Sequence, residues 1–306
     1  MIAAGDLTHC ESMLRVGSRS FYAASRLLPR RVRDPAVALY AFCRTADDAV
    51  DEGEATIAAV DRLRARVDRA YAGRALDDAV DRAFASVVGD FAIPREVPDA
   101  LLEGMAWDAE GKRYDDVDAL YGYCARVASS VGVMMTLVMG PRAPHVLARA
   151  CDLGVAMQMT NIARDVGEDA ARGRIYLPAR WLHEAGVDEE AWLARPVFDE
   201  RIGSVVARAL TAADVLYARA DSGIALLPRD CRVAIRAARL IYSDIGRGIA
   251  RAKYDSVTRR AYVSGARKLW LVVRAMIGAR NAARAREPEL GAVTFLLHAA
   301  ASEASA

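Results

Sequence analysis

The chain has 306 residues, 54% of them hydrophobic, and a net charge of +2 from 42 basic and 40 acidic side chains. That length supports a large core, and a charge balance this close argues against nucleic-acid binding as the main role. Five scattered cysteines without a CxxC pair and four well-separated histidines argue against a zinc site and point to a reducing, cytoplasmic compartment.

At the N-terminus, Asp6, Glu11, Arg15 and Arg19 interrupt the apolar residues, a pattern wrong for a signal peptide. Helical periodicity dominates from there on, over roughly 5–25, 33–52, 55–73, 75–92, 95–108, 116–140, 144–168, 198–227, 230–253 and 258–283. The breaks carry turn chemistry. Pro29 precedes the second helix, Asp34 and Pro35 read as its N-cap and first residue, and Gly53 closes it. Pro94 and Pro98 punctuate the middle, Gly140-Pro141 ends a long apolar helix, and Pro228 separates two late ones. Residues 170–197 read as a loop with short helical turns, and 281–306 carry no functional signal. The longest apolar stretch, Val127 to Gly140, is shorter than the ~20 residues of a membrane span, so it reads as a core helix of a soluble protein. No run alternates as a strand would and no linker divides the chain, so the expectation is an all-α fold in a single domain over 1–306. Gly246-Arg247-Gly248 lacks a third glycine and a preceding strand, so no nicotinamide cofactor is expected.

Two segments carry the chemistry: ALYAFCRTADDAVDEG, from Ala38 to Gly53, and AMQMTNIARDVGEDAARGRIYLP, from Ala156 to Pro178. At 100° per residue, Tyr40, Arg44, Asp47 and Asp51 share an arc of roughly 60°. Gln158, Asn161, Asp165 and Asp169 fall in a similarly narrow arc. Both helices are otherwise apolar, whereas a surface helix shows a broad polar face. Carboxylates one turn apart repel each other, and more so when desolvated. Two such stripes facing each other need cations between them. Oxygen-only donors select hard ions, Mg²⁺ best, with water and phosphate oxygens completing its shell. The stripes therefore imply a metal-bridged diphosphate, with Arg44, Arg164, Arg172 and Arg174 available to phosphate oxygens. A single DxxxD would be read as a solvated face; two, each with an amide or arginine on its ridge, are not.

These segments resemble the squalene/phytoene synthase family, and the resemblance runs from about residue 15 to 275. Ser18 to Gly53 is similar to its N-terminal signature, YCARVASSVG (Tyr123 to Gly132) to its central block, and QMTNIARDVGEDAARGRIYLP (Gln158 to Pro178) to its most specific motif. ARLIYSDI (Ala238 to Ile245) resembles a later block, and the wording as a whole is closer to the bacterial phytoene-forming branch than to the squalene-forming one. The resemblance implies an isoprenoid-synthase helical bundle with a central cavity. It implies Asp47, Asp51, Asn161, Asp165 and Asp169 as Mg²⁺ ligands, with Mn²⁺ as an alternative ion, and Asp48 and Glu168 in support. It also implies Gly17, Ser18, Arg19, Ser20, Tyr40, Arg44, Gln158, Arg164 and Tyr242 as contacts to prenyl diphosphate. For Ser18 and Ser20 a hydroxyl bonded to backbone reads equally well, as does a core role for Tyr242.

The activity so implied is head-to-head condensation of two geranylgeranyl diphosphates through a cyclopropylcarbinyl diphosphate to phytoene. The rivals are a squalene-type or presqualene diphosphate synthase using farnesyl diphosphate, and a non-catalytic relative acting as a binding or assembly factor. The allylic cation must be kept from water, which asks for a closed apolar cavity; Phe21, Phe42, Val131, Met134, Met135, Leu137 and Met157 are the candidates to line it. Substrates this apolar make peripheral membrane contact an expectation, with Arg26 to Arg33 and Arg267 to Trp270 as basic segments suited to it.

Overall fold

The computed structural model describes residues 1–51, 57–277 and 286–302; of Arg19, Ser20, Val50, Asp51 and Ser302 it describes the backbone alone. Among the described residues every regular element is helical. The first half comprises α1 (Ala4–Gly17), α2 (Arg19–Ser25), α3 (Arg30–Asp51), α4 (Ile57–Tyr71), α5 (Ala79–Asp90), α6 (Glu96–Ala109), α7 (Val117–Cys124) and α8 (Ser130–Met139). A π turn, Ala125–Ser129, joins α7 to α8. The second half comprises α9 (Pro144–Arg164), α10 (Val166–Ala171), α11 (Ala179–Glu184), α12 (Glu189–Ala194), α13 (Glu200–Ile224), α14 (Arg232–Arg251), α15 (Gly265–Ile277) and α16 (Thr294–Ser302).

Acidic side chains start many of these helices. Asp78, Asp116, Asp188 and Asp199 each accept backbone N–H bonds from the turn they precede, contacts worth about 1 kcal/mol apiece. Gly140 ends α8 at φ 110°, a left-handed conformation that a side chain would strain. α9 runs through the middle of the bundle, flanked by α8, α13 and α14. One buried apolar cluster extends from Cys10 in α1 to Ala300 in α16.

Several boundaries differ from the sequence reading. Pro29 O accepts from Val32 and Arg33, so α3 opens at Arg30 and Pro35 lies inside the helix instead of starting it. Gly53, the expected end of that helix, lies outside the described residues. The expected helix over 5–25 divides at Ser18, whose backbone is extended (φ −150°, ψ 98°). The break expected between 253 and 258 is wider, a loop over 252–264 that ends one helix at Arg251 and delays the next to Gly265, with Lys253 and Tyr254 both left-handed at φ 56° and 62°. The C-terminal region, without signal in the sequence, forms α16. Finally, α7, the π turn and α8 make a run of 23 residues, Val117–Met139, long and apolar enough to cross a membrane. Its Leu120, Cys124, Ala125, Val133 and Met134 are fully buried within the protein, as a core helix requires.

Candidate active site

An apolar chamber of about 400 Å³ occupies the bundle. It is walled by α2, α3, α8, α9, α13 and α14, and along α9 its lining runs from Val146 to Asn161. At one end it meets a polar pocket of about 220 Å³. Asp47, Gln158 and Asn161 line both. The polar pocket adds Arg44, Asp108, Tyr123, Asp165, Asp169, Arg172, Arg174 and Tyr176. The two stripes read from sequence thus converge on one cleft, although the side chain of Asp51 lies outside the described residues.

The second stripe is built differently from a continuous helix. α9 ends at Arg164, Asp165 takes φ −101° and ψ 14°, and α10 begins at Val166. The break aims Asp165 at two guanidinium groups. Arg164 Nε donates to its Oδ1 at 2.7 Å, and Arg260 Nε donates to the same oxygen at 2.8 Å. Arg260 comes from the 252–264 loop, which is docked on α10: Gly167 N donates to Ser256 O at 3.0 Å. A Cβ on Gly167 would stand 2.2 Å from Val257 O, so only glycine permits this contact.

Asp169 is the most perturbed carboxyl. Burial, then the neighbouring Asp165, push it up to about 7 against the opposing pull of Arg172 and Arg174. Asn161 Nδ2 donates to Gln158 Oε1 at 3.3 Å, whereas Asn161 Oδ1 is buried with no hydrogen-bond partner among the described residues. Opposite, Arg44 is held by Asp48 through a 2.6 Å ion pair one turn along α3. Asp48 is therefore engaged outside the pocket, and Glu168 is exposed beside Arg260; neither lines the cleft. Arg164 stands behind Asp165 and lines neither cavity.

Above the chamber, Phe21 packs between Tyr40 and Tyr242, with ring centroids 6.1 and 5.9 Å away. Burial pushes the Tyr242 hydroxyl up to about 12 and raises Tyr40 as well. Gly17 abuts Tyr40: a Cβ there would lie 2.5 Å from its hydroxyl oxygen. Ser18 Oγ accepts from Phe21 N at 3.2 Å, the helix-cap role that was the alternative to a substrate contact. The side chains of Arg19 and Ser20 lie outside the described residues. Of the apolar candidates, Phe21, Val131, Met135 and Met157 line the chamber. Phe42, Met134 and Leu137 do not: they turn to the core, where Phe42 stacks on Phe84 with centroids 3.9 Å apart.

Two features escaped the sequence reading. Asp108 accepts from the hydroxyls of Tyr123 and Tyr176, each at 2.8 Å, at the rear of the polar pocket. Burial first, and Asp108 next, raise both phenols. Both tyrosines lie inside motif segments, but their shared acceptor sits on α6, where no motif marks it. Arg260 is the second feature, carried by a loop that periodicity assigned to helix.

An all-helical bundle whose apolar chamber opens under an acidic, arginine-rimmed mouth defines the isoprenoid-synthase class. Among solved structures, a dehydrosqualene synthase in complex with a ligand superposes at TM-score 0.82 and 32% identity, covering 89% of this chain and 96% of its own. A squalene synthase from Alicyclobacillus acidocaldarius gives 0.75 and 27%, covering 82% and 95%. The phytoene synthase of Cereibacter sphaeroides is 54% identical over 320 residues, 98% of this chain and 89% of that protein. That of Rhodobacter capsulatus is 55% identical over 282 residues, 91% and 83% of the two chains. The 15-cis-phytoene synthase of a Paracoccus species is 42% identical over 295 residues, 93% and 94%. The squalene/phytoene synthase profile matches residues 14–267, and the chain belongs to that family. It is an enzyme of the prenyltransferase type.

Proposed function

We propose that the enzyme joins two geranylgeranyl diphosphates head to head, through a cyclopropylcarbinyl diphosphate, to give phytoene and free diphosphate. The observation that carries this reading is the junction of a polar pocket with a deep apolar chamber across Asp47, Gln158 and Asn161. Depth supports the C20 substrate. Val146 and Asn161 are fifteen positions apart on α9, about 22 Å at 1.5 Å per residue. Four isoprene units extend to about 20 Å and three to about 15 Å, from C–C bonds of about 1.5 Å. The names of the relatives described above support the same product.

Asp47, Asp51, Asn161, Asp165 and Asp169 are the proposed ligands of Mg²⁺ or Mn²⁺. Two observations support the fit: Asn161 Oδ1 is buried without a hydrogen-bond donor among the described residues, and Asp169 is a desolvated carboxyl beside a second one. Among the described residues no three acidic, histidine or cysteine side chains gather tightly enough to hold an ion unaided. Mg²⁺ ordinarily takes one or two carboxylates and completes its shell from phosphate and water, so a sparse protein shell suits it. A bound divalent ion supplies charge neutralisation to the departing diphosphate.

The protein's own groups do the rest. Arg44, Arg172 and Arg174 face the pocket and bind phosphate oxygens. Gln158 and Tyr40 orient the allylic carbon at the chamber mouth, and Gly17, though it lines neither cavity, abuts the Tyr40 hydroxyl. Arg164 acts from behind, holding Asp165. The apolar wall excludes water from the cation, and the rings of Phe21, Tyr40 and Tyr242 favour positive charge nearby.

We further propose a single catalytic domain in the cytoplasm, in peripheral contact with a membrane. α15 supports that contact. Leu269, Trp270, Val273, Met276 and Ile277 are all exposed on one face, while Leu271 and Ala275 are buried on the other. Arg267 and Arg274 flank the Trp270 ring at 4.4 and 5.6 Å.

The test is direct. Purified protein is incubated with C15 and C20 diphosphates and Mg²⁺, and the hydrocarbons are analysed. A C40 product is expected; predominant C30 would move the enzyme to the squalene-type branch, and no diphosphate release in any condition would favour a non-catalytic relative.

A further inference from the structure

Residues 286–302 lie beyond the stretch that the family profile matches. They are nonetheless built into the bundle: Val293, Leu296 and Ala300 are fully buried. Just before them, the strap around Pro288 meets an ionic cluster at the lower end of the chamber. Arg149 on α9 lines the chamber with a fully buried side chain. Its Nε lies 2.9 Å from Asp152 Oδ2, also fully buried, and Arg219 Nε donates to the same oxygen at 3.0 Å. The two guanidinium groups then converge on one carbonyl, Pro288 O, with Nη2 distances of 3.4 and 2.6 Å. Two arginines against one aspartate leave a positive surplus, which Glu287 and Glu289 face from the strap. Gly223 locks the arrangement, since a Cβ there would stand 2.2 Å from Arg149 Cβ.

A buried ion in the wall of an apolar chamber needs a reason, because desolvated charge is tolerated only with full pairing. Arg149 supplies one by position. It stands twelve residues below Asn161, about 18 Å along α9, where the last isoprene unit of an extended C20 chain arrives. Arg149 lines the chamber while its Nη2 reaches Pro288 O of the strap, so this side chain stands between the two.

We propose that Arg149 is a specificity-determining wall residue, and that Asp152, Arg219 and the Pro288 strap hold it in place as a seal. The C-terminal arm thereby fixes the depth open to a prenyl chain and keeps the lower chamber dry. This inference rests on the prenyl-condensing reading above. A leaking seal has a defined chemical signature. The allylic C–O bond to diphosphate breaks, a water oxygen forms the new C–O bond, and the proton of that water leaves to solvent, giving the C20 alcohol in place of hydrocarbon.

The experiment uses the full chain as wild type, Arg149→Ala and Arg219→Met, each checked for native fold by circular dichroism. Wild-type hydrocarbon formation tests the condensing reading; the comparison among the three proteins tests the seal. Arg149→Ala is expected to raise the use of C25 over C20 diphosphate roughly tenfold, the scale of a pocket change of this size, and to raise the alcohol-to-hydrocarbon ratio. Arg219→Met, which touches the strap and not the chamber, is expected to speed amide exchange over 291–300 and to raise the alcohol ratio. The exchange measurement needs no turnover. Unchanged C25 selectivity and alcohol ratio in folded Arg149→Ala would overturn the proposal. If that variant does not fold, Arg219→Met decides: faster exchange with an unchanged alcohol ratio, or no change in exchange at all, overturns it equally.

Discussion

The carboxyl of Asp169 gives the sharpest handle on the proposed metal site. Its value is raised from 3.8 to about 7, chiefly by burial and then by Asp165. An acid whose folded value exceeds its unfolded value favours the fold in its protonated form. That contribution is complete below the unfolded value of 3.8 and disappears as pH rises through about 7. The metal-free protein therefore loses stability across this window as Asp169 is forced to ionise, and a divalent ion restores it. The same proton competes with the ion, because a ligating carboxylate must be deprotonated. At about pH 6, roughly nine in ten Asp169 carboxyls are protonated, and Mg²⁺ affinity should fall about tenfold, or about 1.4 kcal/mol, per pH unit below 7. Isothermal titration with Mg²⁺ in two buffers of different ionisation enthalpy reads both quantities. Release of nearly one proton per ion is expected at about pH 6 and almost none at about pH 8. Asp169→Asn should weaken binding and flatten the dependence. Affinity that stays constant from about pH 5.5 to 8, with no proton release, would refute the reasoning.

Three further outcomes are expected. Asp47→Ala should lower turnover by at least about a thousandfold while thermal stability stays within about 1 kcal/mol, since the variant removes a charge from a cleft shared with other carboxylates; a diphosphate-release assay beside a urea melt separates the two effects. Gly167→Ala should cost about 1–3 kcal/mol by pushing the new methyl into Val257 O, and it should raise KM by loosening the loop that brings Arg260 to Asp165. Replacing Leu269 and Trp270 together by Glu should abolish co-sedimentation with anionic vesicles without altering activity on detergent-dispersed substrate; retained sedimentation would remove α15 from the membrane contact.

The fold class was legible because helical periodicity runs through nearly every segment, and the glycine and proline breaks at Gly140 and Pro228 fall where the structure turns. The two stripes were legible because a narrow ridge of like charges on an apolar helix is costly to bury unless a ligand of opposite charge meets it. What could not be read was set by contacts distant in sequence. The helix break at Asp165 was not announced by Gly167, which lies inside α10 and not at the break, and it goes together with the docking of the 252–264 loop on that glycine. Asp108 belongs to the pocket only because two tyrosine hydroxyls from other elements reach it. Phe42 and Met157 look alike in sequence, and only the packing of neighbours sends one to the core and the other to the chamber. The arm at 286–302 acquires meaning only beside Arg149 and Arg219, more than sixty residues earlier.

The π turn at Ala125–Ser129 accommodates one residue more than an α-helix of the same rise. Tyr123 reaches the polar pocket ahead of it, and Val131, Met135 and Met139 face the chamber behind it. Excising a single residue from that turn would rewind it to ordinary pitch with α7 and α8 kept in register, whereas the same deletion within α7 or α8 would swivel everything downstream by about 100°. A one-residue deletion should thus be accommodated within these five positions and disruptive in the helices on either side.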